Sequence, residues 1–428
     1  MTRPPPATDT PAPAFFAPFA TRSFRFQWPA DSCVAWALEM ETLILGWYVL
    51  VETGSVLMLT VFGALQFVGT LAAPMLGTLG DRLGLRRVLA AMRFAYAALA
   101  GVILLLALTG RLNPVAVLVV AGIAGLVRPS DIGLRTALVG ATVPPAHLMS
   151  AMGIARTSMD SAKVAGALAG SGVVAAYGMA PAYVVITAIH LVGAFLTLQV
   201  DAGRSTQALA AAAAPARPSP WHELREGLVV IWRTPQLLAA MCLAALVNLT
   251  AFPFTGGLMP YVAREVFTLD QRGLGWLIAA YASGCLVGSL AMGALGGRLG
   301  AGRAMLAAAL AWYVCLAGFA ASTALGPALA WLVAAGVMQS ASMLALQMLL
   351  LRGSAPQLRG RIMGVRMLAI YPLPVGLLVA GALIPKLGFG GTAALMMGTG
   401  ALLVLAIAFA WRHTLLRADA PGNLRPTN

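Results

Sequence analysis

Two carboxylates, Glu39 and Glu41, stand two residues apart in an apolar stretch, and a third, Asp160, stands between Arg156 and Lys163 in another. A charged side chain at the centre of a membrane-spanning helix costs about 2.5–3.5 kcal/mol on insertion scales, so such residues need a reason to be there. A carboxyl group in that setting is a candidate proton carrier. Glu39 and Glu41 are separated by about 200° around a helix and cannot share one face, so at most one points squarely into a central cavity. Glu41 is the favoured one, for proton coupling or for binding a cationic substrate. The plainer reading is a hydrogen-bonded glutamate that holds neighbouring helices together.

Arg156, Asp160 and Lys163 are spaced to stack on one helix face. Their simplest role is a neutralised structural ion-pair network; the competing one is that Asp160 changes partner during a working cycle. Gly166 and Gly170 continue the stripe with small residues that let helices approach closely. A third group, Gly77, Gly80, Asp81, Arg82, Gly84, Arg86 and Arg87, forms a tight, charged turn between apolar runs. An acid such as Asp81 suits the N-terminus of a facing helix, which carries about half a positive charge.

The elements that must position these residues follow from composition. Of 428 residues, 60% are hydrophobic and 10% charged, against roughly 25% charged in soluble domains. Long unbroken apolar runs, rather than alternation over about ten residues, exclude a β-barrel and call for membrane-spanning helices of about 20 residues. Runs between charged or Pro/Gly-rich breaks place spans near 32–53, 55–78, 88–110, 113–134, 147–176 and 180–200, then 235–262, 271–295, 303–324, 326–351, 362–385 and 390–411. The fold class is therefore all-α integral membrane, with twelve transmembrane helices in two pseudo-symmetric six-helix bundles.

The expected organisation is a cytoplasmic tail over 1–31, a first bundle over 32–200, a linker with an amphipathic helix over 201–234, a second bundle over 235–412 and a cytoplasmic tail over 413–428. The Ala/Pro-rich stretch before Trp221 suits a linker. The formal charge of +14 is spread in ones and threes between apolar segments, the pattern of cytoplasmic loops rather than of a nucleic-acid binder. Its asymmetry puts both termini in the cytoplasm. An internal repeat supports two halves: the Gly77–Arg87 pattern returns, weakened, from Gly293 to Arg303, 216 residues on. A second echo pairs Pro145 and Met152 with Pro356 and Met363, 211 residues on.

On these residues the chain resembles the major facilitator superfamily, whose most specific signature is the loop between spans two and three, here Gly77 to Arg87. Leu45-Gly46-Trp47-Tyr48, Arg128-Pro129 and Leu358 to Arg361 are similar to the branch of macrolide and siderophore exporters. Three features depart from the pattern: Gly297 replaces the acid in the second loop, the fifth span lacks a Gly-Pro pair, and Arg128 falls near the cytoplasmic end of its span. The resemblance implies the major facilitator fold, alternating access about a midplane site, and Asp81 facing the eleventh helix, with Arg82 and Arg86 helping to latch the halves.

The expected function is secondary, most simply proton-coupled, efflux of a small amphipathic molecule across a bacterial cytoplasmic membrane; the alternative is an uptake permease on the same fold. No enzymatic activity, cofactor, metal or nucleic-acid partner is expected. The scattered histidines, His147, His190, His222 and His413, group with no nucleophile. The expected partners are the small-molecule substrate, protons and the lipid bilayer, and a monomer suffices.

Overall fold

The computed structural model describes residues 16–69, 83–201, 220–295, 300–354 and 358–417. Gly77, Gly80, Asp81 and Arg82, the linker residues 202–219, Gly297 and Pro356 lie outside the described residues. The first half comprises α1 (Arg22–Thr53), α2 (Val56–Leu65), α3 (Leu85–Leu108), α4 (Pro114–Thr142), α5 (Leu148–Tyr177) and α6 (Met179–Leu198). The second comprises α7 (Pro220–Arg233), α8 (Pro235–Thr250), α9 (Gln271–Leu295), α10 (Ala301–Ala320), α11 (Leu325–Arg352), α12 (Arg359–Leu368), α13 (Pro372–Ala410) and α14 (Arg412–Arg417). Between α8 and α9 the chain passes through short helical turns and one π-helical turn, Val262–Val266.

Among the described residues eight helices are long and apolar enough to cross a bilayer, or nine if the bent pair α7–α8 forms one span. The last of the eight, Arg361–Ala410, contains a break at Gly388, whose φ of 71° no helix accommodates, so it holds two passes. α2 is apolar but ends beside the undescribed residues, and α5 carries Arg156, Asp160 and Lys163. With α2, α5, α8 and the divided α13, the helices accommodate the twelve expected passes.

Two boundaries differ from expectation. α1 starts at Arg22, ten residues before position 32, and its first turns are buried although polar. Ser23 donates to the Asp201 carbonyl at 2.7 Å and Gln27 to the Arg135 carbonyl at 3.1 Å, so polarity here is satisfied inside the protein. α4 continues to Thr142, eight residues past the expected end. That length puts Arg128 in mid-helix, correcting its expected place near the cytoplasmic end.

Tight turns order the helices. At the α1–α2 turn Gly54 adopts φ 62° and Ser55 caps α2 by accepting from the Met58 amide at 3.3 Å. Within the first half α1 packs on α5, α6, α4 and α2, and α3 packs on α6 and α4. Within the second, α11 packs on α9 and α10, while α13 packs on α8 and α10. The halves meet where α5 lies on α9 and α2 lies on α13, so second and fifth membrane helices exchange places across the interface. Large apolar side chains such as Leu105, Leu108, Val115, Leu290, Leu402 and Phe409 remain exposed on the periphery, as a lipid-facing surface requires.

Small residues set the closest approaches. A Cβ on Gly170 would stand 3.2 Å from the Met40 backbone, and one on Gly166 would stand 3.0 Å from the Glu39 Cβ, whereas Gly172 faces open space. Gly170→Leu should therefore lower the melting temperature of the purified protein, at a cost of about 1–3 kcal/mol, while Gly172→Leu leaves it unchanged; thermal unfolding of both variants in one detergent checks this.

Candidate functional site

The two half-membrane carboxylates part company, as their spacing dictates. Glu39 is half-buried between α1 and α5, with its Cβ against Gly166. Glu41 enters a cavity of about 40 Å³ that it lines with Thr42, Gln66, Tyr96 and Arg128. The cavity lies within the first half, among α1, α2, α3 and α4, and not between the halves. It has room for water. Arg128 donates to Thr42 Oγ1 at 3.1 Å and also hydrogen-bonds Gln66. Glu41 Oε2 stands 3.3 Å from Nε2 of the fully buried His190 on α6. The Tyr96 ring lies 5.8 Å from the His190 ring, between this pair and a deeper cluster.

That cluster escapes sequence reasoning altogether. Arg93, in the third turn of α3, is 0% exposed. It hydrogen-bonds Asp31 of α1, donates to Thr197 Oγ1 of α6 at 2.5 Å, and holds Nε 3.8 Å from Asp131 Oδ1 of α4. Four helices thus share one guanidinium. Two signals were available: a lone arginine in the apolar run 88–110, and an acid just outside the expected start of α1.

Arg156, Asp160 and Lys163 do come together. Arg156 Nε is 3.0 Å and Lys163 Nζ 3.8 Å from Asp160, whose side chain is 2% exposed against 59% and 41% for the two cations. This face of α5 looks towards the second half, within electrostatic range of Cys285 on α9. Cys285 donates to Gln339 of α11 at 2.9 Å. Arg366 of α12, unremarked in the sequence, lies within electrostatic range of Arg156 and donates to Gln347 at 3.3 Å.

The halves are held at the end remote from the N-terminus. Arg264 donates to the Leu50 carbonyl at 2.9 Å, the Gly275 backbone abuts Ser171, and the Gly381 backbone abuts Thr60. Towards the other end the α5 cations Arg156 and Lys163 stay exposed. Of the Gly77–Arg87 group, the described members are Gly84, with φ 93° before α3; Arg86, which donates to the Val200 carbonyl at 3.1 Å; and exposed Arg87. α7 lies across α12, where Arg361 and Glu226 pair at 2.5 Å.

Two packed sets of apolar helices that enclose charged clusters define a multi-pass membrane protein. The Major Facilitator Superfamily profile matches residues 32–267, more than half of the sequence. The chain belongs to that superfamily. No curated protein matches it. Among solved structures it is similar to a bacterial homologue of the human lysosomal transporter Spinster, inward-facing and unoccupied, with TM-score 0.67, 13% identity and coverage of 96% of this chain and 100% of the other. A D-xylose–proton symporter matches with TM-score 0.68, 14% identity and coverage of 91% and 97%. The nucleoside transporter NupG matches with TM-score 0.66, 14% identity and coverage of 91% and 99%. At these identities the likeness is one of fold.

Removing Arg93 leaves two buried acids without their cation, at about 3–5 kcal/mol. Arg93→Met should abolish a monodisperse peak in size-exclusion chromatography of the detergent-solubilised protein. Adding Asp31→Asn and Asp131→Asn to that variant should restore it.

Proposed function

We propose that this protein is a proton-coupled exporter of a small amphipathic molecule in a bacterial cytoplasmic membrane, working by alternating access between its halves. The observation that carries the proton assignment is the Glu41–His190 pair beside a cavity with room for water. A carboxyl and an imidazole at 3.3 Å exchange a proton without separating charge across the bilayer core. Arg128 lines the same cavity as Glu41 and is itself bonded to Gln66, the residue that ends α2, a helix of the inter-half contact. Proton binding thereby reaches the interface that must open and close.

Three further considerations support the reading. The basic residues between spans favour cytoplasmic termini by the positive-inside rule, which turns the end where the α5 cations are exposed towards the cytoplasm. The Leu45–Tyr48 and Leu358–Arg361 stretches are similar to the macrolide and siderophore exporter branch, and one solved relative of the fold is a proton symporter. In this scheme the two bundles, near 32–200 and 235–412, rock as bodies. Asp81, with Arg82 and Arg86, latches them when the cytoplasmic side is closed, and a single chain completes the cycle.

The test is accumulation of a panel of amphipathic compounds in a bacterial host stripped of its own efflux systems, at matched membrane levels of each variant. Wild type should lower accumulation of at least one compound, and a proton uncoupler should erase the difference. Glu41→Gln and Asp81→Asn should both return accumulation to that of cells lacking the protein. Purified Glu41→Gln in liposomes should still exchange labelled for unlabelled substrate, since only the proton step is lost. A rise in accumulation with wild type would replace export by uptake.

A further inference from the structure

Six buried polar atoms on three packed helices of the first half have no hydrogen-bond partner among the described residues. On α6 they are Tyr183 OH, Thr187 Oγ1 and His190 Nδ1, spaced i, i+4 and i+7 along one face. On α3 they are Arg93 Nε and Tyr96 OH, one turn apart, and on α4 the atom is Asp131 Oδ1, one turn from Arg128. α3 packs on both α6 and α4, the Tyr96 and His190 rings lie 5.8 Å apart, and Arg93 reaches both Thr197 of α6 and Asp131 of α4. The unpaired atoms therefore belong to one interior.

A buried polar atom left unpaired costs about 1–3 kcal/mol, and ordered water is the usual partner of such atoms. The geometry suits water. Arg93 Nε and Asp131 Oδ1 stand 3.8 Å apart, too far for a direct hydrogen bond and close enough for one water to bond both. His190 turns Nε2 to Glu41 at 3.3 Å, which leaves Nδ1 for another partner. Tyr96 joins the two levels: it lines the cavity of about 40 Å³ that holds Glu41, and it stands one turn, about 4.5 Å along α3, from Arg93. Asp31, which hydrogen-bonds Arg93, lines a second cavity of about 10 Å³ with Trp28, Ser32, Arg135 and Ser158. That is room for about one water.

We propose that these atoms bind a file of waters through the first half, from Glu41 and His190 past Tyr96 to Arg93, Asp131 and Asp31, and that protons pass between Glu41 and the cytoplasm along it. This rests on the reading of Glu41 as the proton-carrying group, and it names that group's route. Transfer is a relay: each water, and the Tyr96 hydroxyl, forms one O–H bond as it gives up another, so every station ends unchanged. The charged groups facing the route are Glu41 and Arg128 at one end and Asp31, Asp131, Arg93 and Arg135 at the other. The two acids offset the two arginines, which alone would repel a migrating proton. Asp31 precedes Glu41 by ten residues on α1, so its end of the file lies towards the N-terminus and, by the positive-inside rule, the cytoplasm.

Radiolytic hydroxyl-radical labelling of the purified full-length protein in detergent, read by mass spectrometry, marks side chains that touch water. Tyr183 and His190, both 0% exposed, should be oxidised as readily as Tyr177, which is 73% exposed. Tyr313, 1% exposed and hydrogen-bonded to Thr250 at 2.5 Å, should stay unmodified. Protection of Tyr183 and His190 alongside Tyr313 overturns the water file. The relay is tested by infrared spectroscopy after a rapid drop in pH. The protonated-carboxyl band that Glu41→Gln removes should form several-fold more slowly in Tyr96→Phe, with its final amplitude and the melting temperature unchanged. An unchanged rate overturns the relay, and so does a lower amplitude or melting temperature, which would make the Tyr96 hydroxyl a structural group. The two readings fail separately. If the Glu41 band never appears in wild type, the proton assignment falls and the relay with it, whereas labelled Tyr183 and His190 still establish the water site.

Discussion

Arg93 is a guanidinium with no exposure at all, and a membrane protein has no solvent with which to hide that fact. It is tolerated because α1, α4 and α6 each turn a polar side chain towards it, from Asp31, Asp131 and Thr197. The requirement fixes the rotation of three helices about a fourth. It also explains why α1 begins ten residues earlier than its hydropathy suggests: the Asp31 turn has to be inside the protein to meet Arg93. Once α1 is so placed, Glu41, about three turns further on, must look into the same interior, where His190 and Arg128 are waiting.

Glycines do the complementary work between helices that carry no charge pairing. Gly166 and Gly170 bring α5 against α1 inside the first half, while Gly275 and Gly381 let α9 and α13 settle on α5 and α2 across the interface. Contacts of backbone on side chain are short-ranged and separate without stranding a charge. Among the described residues the ion pairs, by contrast, lie inside a half, as in Arg93 with its acids and Arg361 with Glu226, and the one cation named as reaching across, Arg264, meets only the neutral Leu50 carbonyl. Ion pairs within halves and small residues between them suit two bodies that move as units.

Much of the fold was legible because a bilayer leaves few choices. The apolar runs located the helices within a few residues for α3, α5, α6, α9, α10 and α11, and the repeated Gly/Arg loop announced two halves. The periodicity argument also separated Glu39 from Glu41 correctly in direction, since two residues of helix dictate it. What could not be read was partnership across helices. His190 and Glu41 are 149 positions apart and Arg93 and Asp31 are 62 apart. Hydropathy treats each as an isolated penalty, whereas in the folded protein the penalties cancel in pairs, which is also why α1 and α4 are longer than they look. That Glu41 would line a cavity walled by four helices of the first half could not be read either, because which neighbours fill that interior is a property of packing, not of helix face.

The separation of the two charged sites has a mechanical consequence. Glu41, His190 and Arg128 belong to one half, and their link to the interface runs through Gln66, the residue that ends α2, which packs on α13. Arg156 and Arg366 stand on α5 and α12, one in each half. In the proposed cycle a proton taken up at Glu41 changes the charge beside Arg128, and through Gln66 at the end of α2 it biases the same rigid-body coordinate that a substrate held between the halves biases. Two ligands that never touch are then coupled through the one motion both depend on, and the strength of that coupling is limited by how differently each binds in the open and closed arrangements. A substrate that touches both halves meets that condition; one held by a single half does not.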